Sequence, residues 1–140
     1  MTVRSAQAHW EGSLIEGEGE VEFLNSNLGS VQVDWRSRSA ETEGRTSPEE
    51  LIAAAHSACY SMALSHALAG NGTPPAAVDT RADVTFVAGQ GITGIVLTVR
   101  ASVPGLTADE FAKFAEDAKT GCPVSAALTG TTITLDAALV

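Results

Sequence analysis

Basic residues and cysteines are both scarce in this sequence. Eight Lys and Arg stand against 17 Asp and Glu, a net charge of −9 that argues against a nucleic-acid or anionic-membrane partner. Two cysteines are too few for the disulfide framework of a small secreted scaffold. The opening "MTVRSAQAHWEG" lacks the basic-then-apolar order of a secretory signal, so a reducing, cytoplasmic setting is the expectation. Repeats, low-complexity tracts and linkers are missing too. The 140 residues therefore suit a single domain, 1–140, able to bury about 70% of the surface its unfolded chain exposes.

Only one long apolar run is present, "LIAAAHSACYSMALSHALA" at 51–69. It has the length of a membrane span, but two histidines, three serines and much alanine make it a helix buried in protein rather than in lipid.

The rest of the chain divides by its hydrophobic period. "GEGEVEFLNS" (17–26) and "SVQVDW" (30–35) alternate polar and apolar residues, as do "VDTRADVTFVA" (78–88), "GITGIVLTVRASV" (91–103) and the final "TTITLDAALV". These are strand signatures, and with short Gly- and Asn-containing connections between the runs the expectation is antiparallel sheets. Between them "TSPEEL" announces a helix from about Pro48 to Ala69: Ser47 caps, Pro48 suits the first turn and Glu50 completes an S-x-x-E capping box. "TADEFAKFAEDAKT" (107–120) is amphipathic, and Pro123 starts a short helix in "PVSAAL". Strands, helix, strands, helix, strand is an α+β order. Ala54, Ser57, Ala58, Ser61 and Ser65 recur along the long helix at three- and four-residue spacing, a stripe that lets a second helix approach closely. One chain of this size has too little sheet to wrap such a helix, which points to a homodimer.

Cys59, in "HSACY" (56–60), poses the chemical question. A free cysteine is mostly protonated at neutral pH, and burial protonates it further. The helix dipole fades within one turn, and Cys59 lies about three turns in. A reactive Cys59 thus needs a cation, and Arg36, Arg38 and Arg45 lie in the segment leading into the helix. His56, one turn back, is a further candidate. Cys122, in "TGCPVS", precedes Pro123 at a helix start, where backbone N–H groups favour a thiolate. Physical chemistry alone does not rank the two cysteines.

Taken together, "RTSPEELIAAAHSACYSMAL" (45–64), "GCPVSAAL" (121–128) and "AHWEG" (8–12) resemble the OsmC/Ohr family of thiol-dependent hydroperoxide reductases, closest to its OsmC branch. The resemblance spans nearly the whole chain. It implies an intertwined α+β homodimer with a long central helix, reducing organic hydroperoxides, and hydrogen peroxide more slowly, to alcohol and water. By position Cys59 is similar to the peroxidatic cysteine, Cys122 to the resolving one, and Glu49 to the glutamate that orients the active-site arginine. That arginine lies in a W-x-x-R-like strand of the OsmC branch, which points to Arg38, with Arg36 as the alternative. Tyr60 stands where phenylalanine is common.

The resemblance further implies that the arginine stabilises the Cys59 thiolate, that Cys122 condenses with the resulting sulfenic acid, and that an external thiol, in the Ohr branch a lipoylated protein, resets the pair. Neither metal, flavin nor haem is called for. Glu49 and Cys59 are ten positions apart, about 15 Å along one helix, so the expectation is that each site takes its glutamate from the partner subunit. Two other readings compete. One is a metal or redox sensor built on His56 and Cys59 with Cys122, His9 or His66, and the other is a non-catalytic stress-related binding module with silent thiols.

Overall fold

The computed structural model describes residues 1–140. Two compact units divide them, 1–51 and 52–140.

The first unit is built on a three-stranded antiparallel sheet in the order β1 (Ala6–Glu11), β2 (Glu18–Phe23), β3 (Ser30–Val33). The sequence pattern singles out β2 and β3 but not β1. All six residues of β1 are exposed, so no buried face imposes an alternation on it. Its fixed point is Trp10, paired with Gly19 across the ladder. A Cβ on Gly19 would sit 2.6 Å from Trp10 Cε3, so the indole takes the space a side chain would need.

β3 ends at Val33, two residues before the alternating pattern does. Asp34 turns the chain: its carboxylate accepts from the Ser37 N–H at 2.7 Å and caps α1 (Trp35–Ser39). The same N–H, with the Ser37 side chain, holds the Asp34 carboxyl below its ordinary value. Arg38 therefore sits on a helical turn and not in a strand, which corrects the placement drawn from the family pattern. A local cap outweighs the strand propensity of Val33 and Trp35 here.

α2 (Pro48–Gly70) begins where "TSPEEL" places it. The Ser47 hydroxyl accepts from the Glu50 N–H at 3.2 Å, one half of the expected capping box. The Glu50 carboxylate takes the Thr46 hydroxyl instead. The helix stops at Asn71–Gly72, where Gly72 adopts φ +79° and Thr73 N–H returns to the Leu68 carbonyl at 3.0 Å.

In the second unit β4 (Ala77–Val87) and β5 (Gly91–Ser102) form a long antiparallel pair, and β6 (Thr132–Leu139) lies parallel to β5 on its other side. That parallel pairing corrects the expectation of antiparallel sheets for the last strand. It follows from the crossover of α3 (Ala108–Gly121) and α4 (Pro123–Ala127) between the two strands. Thr107 and Glu110 cap α3 reciprocally.

The core of this unit is one cluster. Leu97, Val99 and Ala101 supply the inward face of β5, with Tyr60, Leu64 and Leu68 from α2 and Phe111, Ala115 and Ala118 from α3. Tyr60 is fully buried, and its hydroxyl donates to the Ala115 carbonyl at 2.8 Å. On the other side of α2, Ala54, Ala58, Met62 and His66 are exposed at every fourth residue, Met62 to 71%. The small-residue stripe thus divides in two. Its alanines face outward, while Ser57, Ser61 and Ser65 are half-buried and Ser61 Oγ donates to Thr80 Oγ1 at 2.8 Å. No helix is long and apolar enough to cross a membrane.

Candidate active site

Cys59 and Cys122 come together although 63 residues separate them. α2 carries Cys59 on a half-buried face, and the junction of α3 and α4 buries Cys122 completely. Cys122 serves both helices, since its N–H closes α3 onto the Ala118 carbonyl at 2.9 Å and it is also the residue before Pro123 of α4. Both thiols are free.

Their surroundings differ in sign. Burial raises the Cys59 thiol, the neighbouring Cys122 adds to this, and the Val124 N–H only partly opposes it, so Cys59 lies above its ordinary value of 9.0. Cys122 is also raised by burial, but the Ser125 N–H, the Cys59 thiol, the Ser125 hydroxyl and the Val124 N–H outweigh it. Its thiolate is favoured as a result. The Cys122 side chain makes no formal capping hydrogen bond on α4; the effect is that of several N–H and O–H dipoles converging on one sulfur. None of the influences on Cys59 is a cation.

Cys59 opens onto a groove of about 490 Å³. Met62, Ala63, Ala67, Ala118 and Pro123 make its walls apolar, and His66 and Asp117 give it two polar positions. Such a lining suits a molecule with a hydrocarbon body and a small polar reacting end.

Arg38 and Glu49 are held together within the first unit. Glu49 is only 6% exposed, and its Oε1 accepts from Arg38 Nε at 3.0 Å and lies 2.9 Å from Arg38 Nη2. Its Oε2 is buried without a hydrogen-bond partner. Arg36, the alternative arginine, pairs with Glu43 at 2.8 Å on a side chain that is 62% exposed. Arg45 is shared between Glu18 and Asp34, each at 3.1 Å. The first unit thus holds Arg38 against Glu49, and the second brings Cys59 to Cys122.

His56 is fully buried and does not join a ligand set. Its Nε2 lies 2.7 Å from the hydroxyl of Ser125, and no group of three or more His, Cys, Asp and Glu side chains is placed to hold a metal ion. Ser125 itself escapes the sequence reading. The signal available was its position in "GCPVSAAL", one helical turn beyond Cys122.

Residues 40–136 match the family described as OsmC-like protein. The chain is 44% identical to Peroxiredoxin OsmC of Escherichia coli (strain K12), over 97% of this chain and 96% of that one. The fold is similar to that of an organic hydroperoxide resistance protein OsmC from Legionella pneumophila, with a TM-score of 0.72 at 25% identity, covering 99% of this chain and 98% of that one. It is similar also to OhrB of Bacillus subtilis, with a TM-score of 0.71 at 20% identity, covering 97% and 98%. A family match over residues 40–136, a near full-length relative of this identity and a shared α+β architecture place the chain in the OsmC-like family, on its OsmC branch.

Proposed function

We propose that this chain is a peroxidase that reduces organic hydroperoxides, and hydrogen peroxide more slowly, through Cys59 as attacking thiol and Cys122 as resolving thiol. The observation that carries the reading is the meeting of two free thiols beside an apolar groove. The name of the 44% identical relative points the same way.

Chemically, the Cys59 thiolate attacks the distal oxygen of the hydroperoxide. The O–O bond breaks, an alkoxide leaves and takes up a proton, and Cys59 becomes a sulfenic acid. Cys122 then attacks that sulfur, the S–O bond breaks, and hydroxide leaves and is protonated to water. Two equivalents of an external thiol return the disulfide to the starting pair. The favoured thiolate at Cys122 suits the second step. The first step needs a cation beside Cys59, a role that Arg38, oriented by Glu49, fills in this reading.

Because the Cys59 environment within its own unit raises the thiol, we assign that cation to a second copy of the chain, in a homodimer formed through the exposed face of α2. The reductant is a small or protein-borne dithiol such as a lipoyl group, and the expected compartment is the cytoplasm. Anaerobic titration of reduced protein with cumene hydroperoxide is the test. Loss of both thiols per chain at one equivalent is expected; retention of both rejects the peroxidase reading in favour of a module with silent thiols.

A further inference from the structure

His56 and Ser125 are both buried, and each lies one helical turn from a cysteine. His56 precedes Cys59 by three residues on α2, and Ser125 follows Cys122 by three on α4. Their side chains meet, Nε2 to Oγ at 2.7 Å, while Nδ1 of His56 is buried without a partner. A neutral imidazole carries its proton on one nitrogen only. Were it on Nδ1, a buried N–H donor would be left unpaired. With the proton on Nε2 the unpaired atom is an acceptor, the less costly orphan. Burial also lowers the His56 pKa from its ordinary 6.5 and keeps the ring neutral.

The tautomer decides where the serine proton points. A hydroxyl has one donor and two acceptor positions, so Ser125 Oγ, accepting from His56, keeps its own proton for another atom. Cys122, buried with Ser125 and three residues before it, is the group whose ionised form the Ser125 hydroxyl favours.

We propose that His56 is a positioning residue for disulfide formation: its Nε2–H holds the Ser125 hydroxyl as a donor to Cys122, populating the Cys122 thiolate when Cys59 is a sulfenic acid. The inference rests on the reading of Cys122 as the resolving thiol. In the step it serves, a bond forms between Cys122 Sγ and Cys59 Sγ, and the Cys59 S–O bond breaks. Hydroxide leaves, and the proton that Cys122 gave up to solvent balances it as water. His56 exchanges no proton. The other ionisable groups about Cys122 are Cys59 and Tyr60 of α2, the latter kept neutral because burial, then Glu116 and Cys122, raise its pKa. Asp117 of α3 lines the groove on the Cys59 side.

The test reads Cys122 directly, by ultraviolet thiolate absorbance against pH in a Cys59→Ser background. Ser125→Ala and His56→Leu are expected to move the titration upward, leaving about tenfold less thiolate near neutrality. Ser125→Thr keeps a hydroxyl, and His56→Gln keeps an N–H donor, so both are expected to stay within about threefold of the parent. In the two-cysteine protein, excess cumene hydroperoxide should convert more Cys59 to sulfinic acid in Ser125→Ala than in Ser125→Thr, as read by intact mass. Thermal melts accompany every variant, and the Gln and Leu pair at position 56 carries the comparison if Ser125→Ala does not fold. An unmoved titration in Ser125→Ala, or equal impairment of His56→Gln and His56→Leu, overturns the inference. Failure of the parent protein to consume hydroperoxide would instead overturn the functional reading, while the thiolate titration still decides the role of His56.

Discussion

Arg38 and Glu49 share one carboxylate oxygen, Oε1, which lies 3.0 Å from Arg38 Nε and 2.9 Å from Nη2. The pair leaves Oε2 of Glu49 buried and unpartnered, so the guanidinium carries most of the cost of burying that carboxylate. Arg38→Ala should accordingly lower stability by about 1–2 kcal/mol, between the values of exposed and buried ion pairs. Turnover should fall by about tenfold or more, since the proposed cation for Cys59 is lost. Arg36→Ala removes a solvent-exposed pair with Glu43 and should change stability by less than about 1 kcal/mol. Chemical unfolding and peroxide consumption, measured on both variants, check the assignment. A larger activity loss in Arg36→Ala would make Arg36 the active-site arginine.

The two cysteines should fail in different ways. Cys59→Ser is expected to abolish hydroperoxide reduction. Cys122→Ser should complete a first turnover and then stall, with Cys59 passing to sulfinic acid under excess peroxide. Intact mass after one and ten equivalents of hydroperoxide distinguishes the two outcomes. Sulfinic acid on Cys122 with Cys59 dispensable would reverse the roles, an outcome with a physical basis because the Cys122 thiolate is the favoured one in this structure.

Tyr60 gives a prediction about stability alone. Its hydroxyl is buried and donates to the Ala115 carbonyl at 2.8 Å, so Tyr60→Phe deletes one neutral hydrogen bond. A loss of about 1 kcal/mol follows. Peroxide consumption should be unaltered, because the hydroxyl points into the core and not into the groove beside Cys59. Urea denaturation paired with an activity assay would expose any catalytic share.

Acidification should destabilise the protein through His56. Its folded pKa lies below the unfolded 6.5 because burial disfavours the charged ring. Above 6.5 the ring is neutral in both states and its contribution is whole. As pH falls through 6.5 the unfolded chain takes up a proton that the folded chain does not, and stability is lost until the folded pKa is passed. Asp34 and Glu110, whose carboxyls are lowered from 3.8 and 4.5 by hydrogen bonds from Ser37 and Thr107, lose their contributions only at more acidic pH. Unfolding free energy followed from pH 7.5 to 5 should therefore decline in the wild type and be flatter in His56→Gln.

Most of the architecture was legible because it rests on local rules. Pro48 and Ser47 mark the start of α2, Gly72 its end, and the period-two pattern of Ile95, Leu97, Val99 and Ala101 marks β5. What the sequence hid depends on partners distant in the chain. β1 has no buried face to betray it, β6 takes its parallel pairing from a crossover, and α1 exists because Asp34 caps it. The site follows the same division. Cys59, Cys122, Arg38 and Glu49 could be put forward as candidates from motif positions, but the differing environments of the two thiols and the His56–Ser125 hydrogen bond across 69 residues depend on packing.

The exposed face of α2 leads to the last prediction. Ala54 and Ala58 are open, with Met62 and His66 continuing the same line, and an apolar helix face of this kind calls for a cover. Glu49 and Cys59 belong to this one helix, ten residues and about 15 Å apart along its axis and turned by about 80°, beyond the reach of a glutamate side chain. If α2 of a second chain crosses antiparallel near the midpoint, residue 54, Glu49 of each protomer comes level with Cys59 of the other. The midpoint reads "AAA" (53–55), side chains small enough for a close crossing. We therefore propose a homodimer with two shared sites, each taking Arg38 and Glu49 from one protomer and Cys59 and Cys122 from the other. Ala54→Trp should weaken the dimer in analytical ultracentrifugation. Mixing inactive Glu49→Ala dimers with inactive Cys59→Ser dimers under subunit exchange should restore up to half of the wild-type activity per heterodimer, because one of its two sites has every group intact. If mass spectrometry shows the heterodimer and activity stays absent, Glu49 acts within its own chain or plays no part in the reaction.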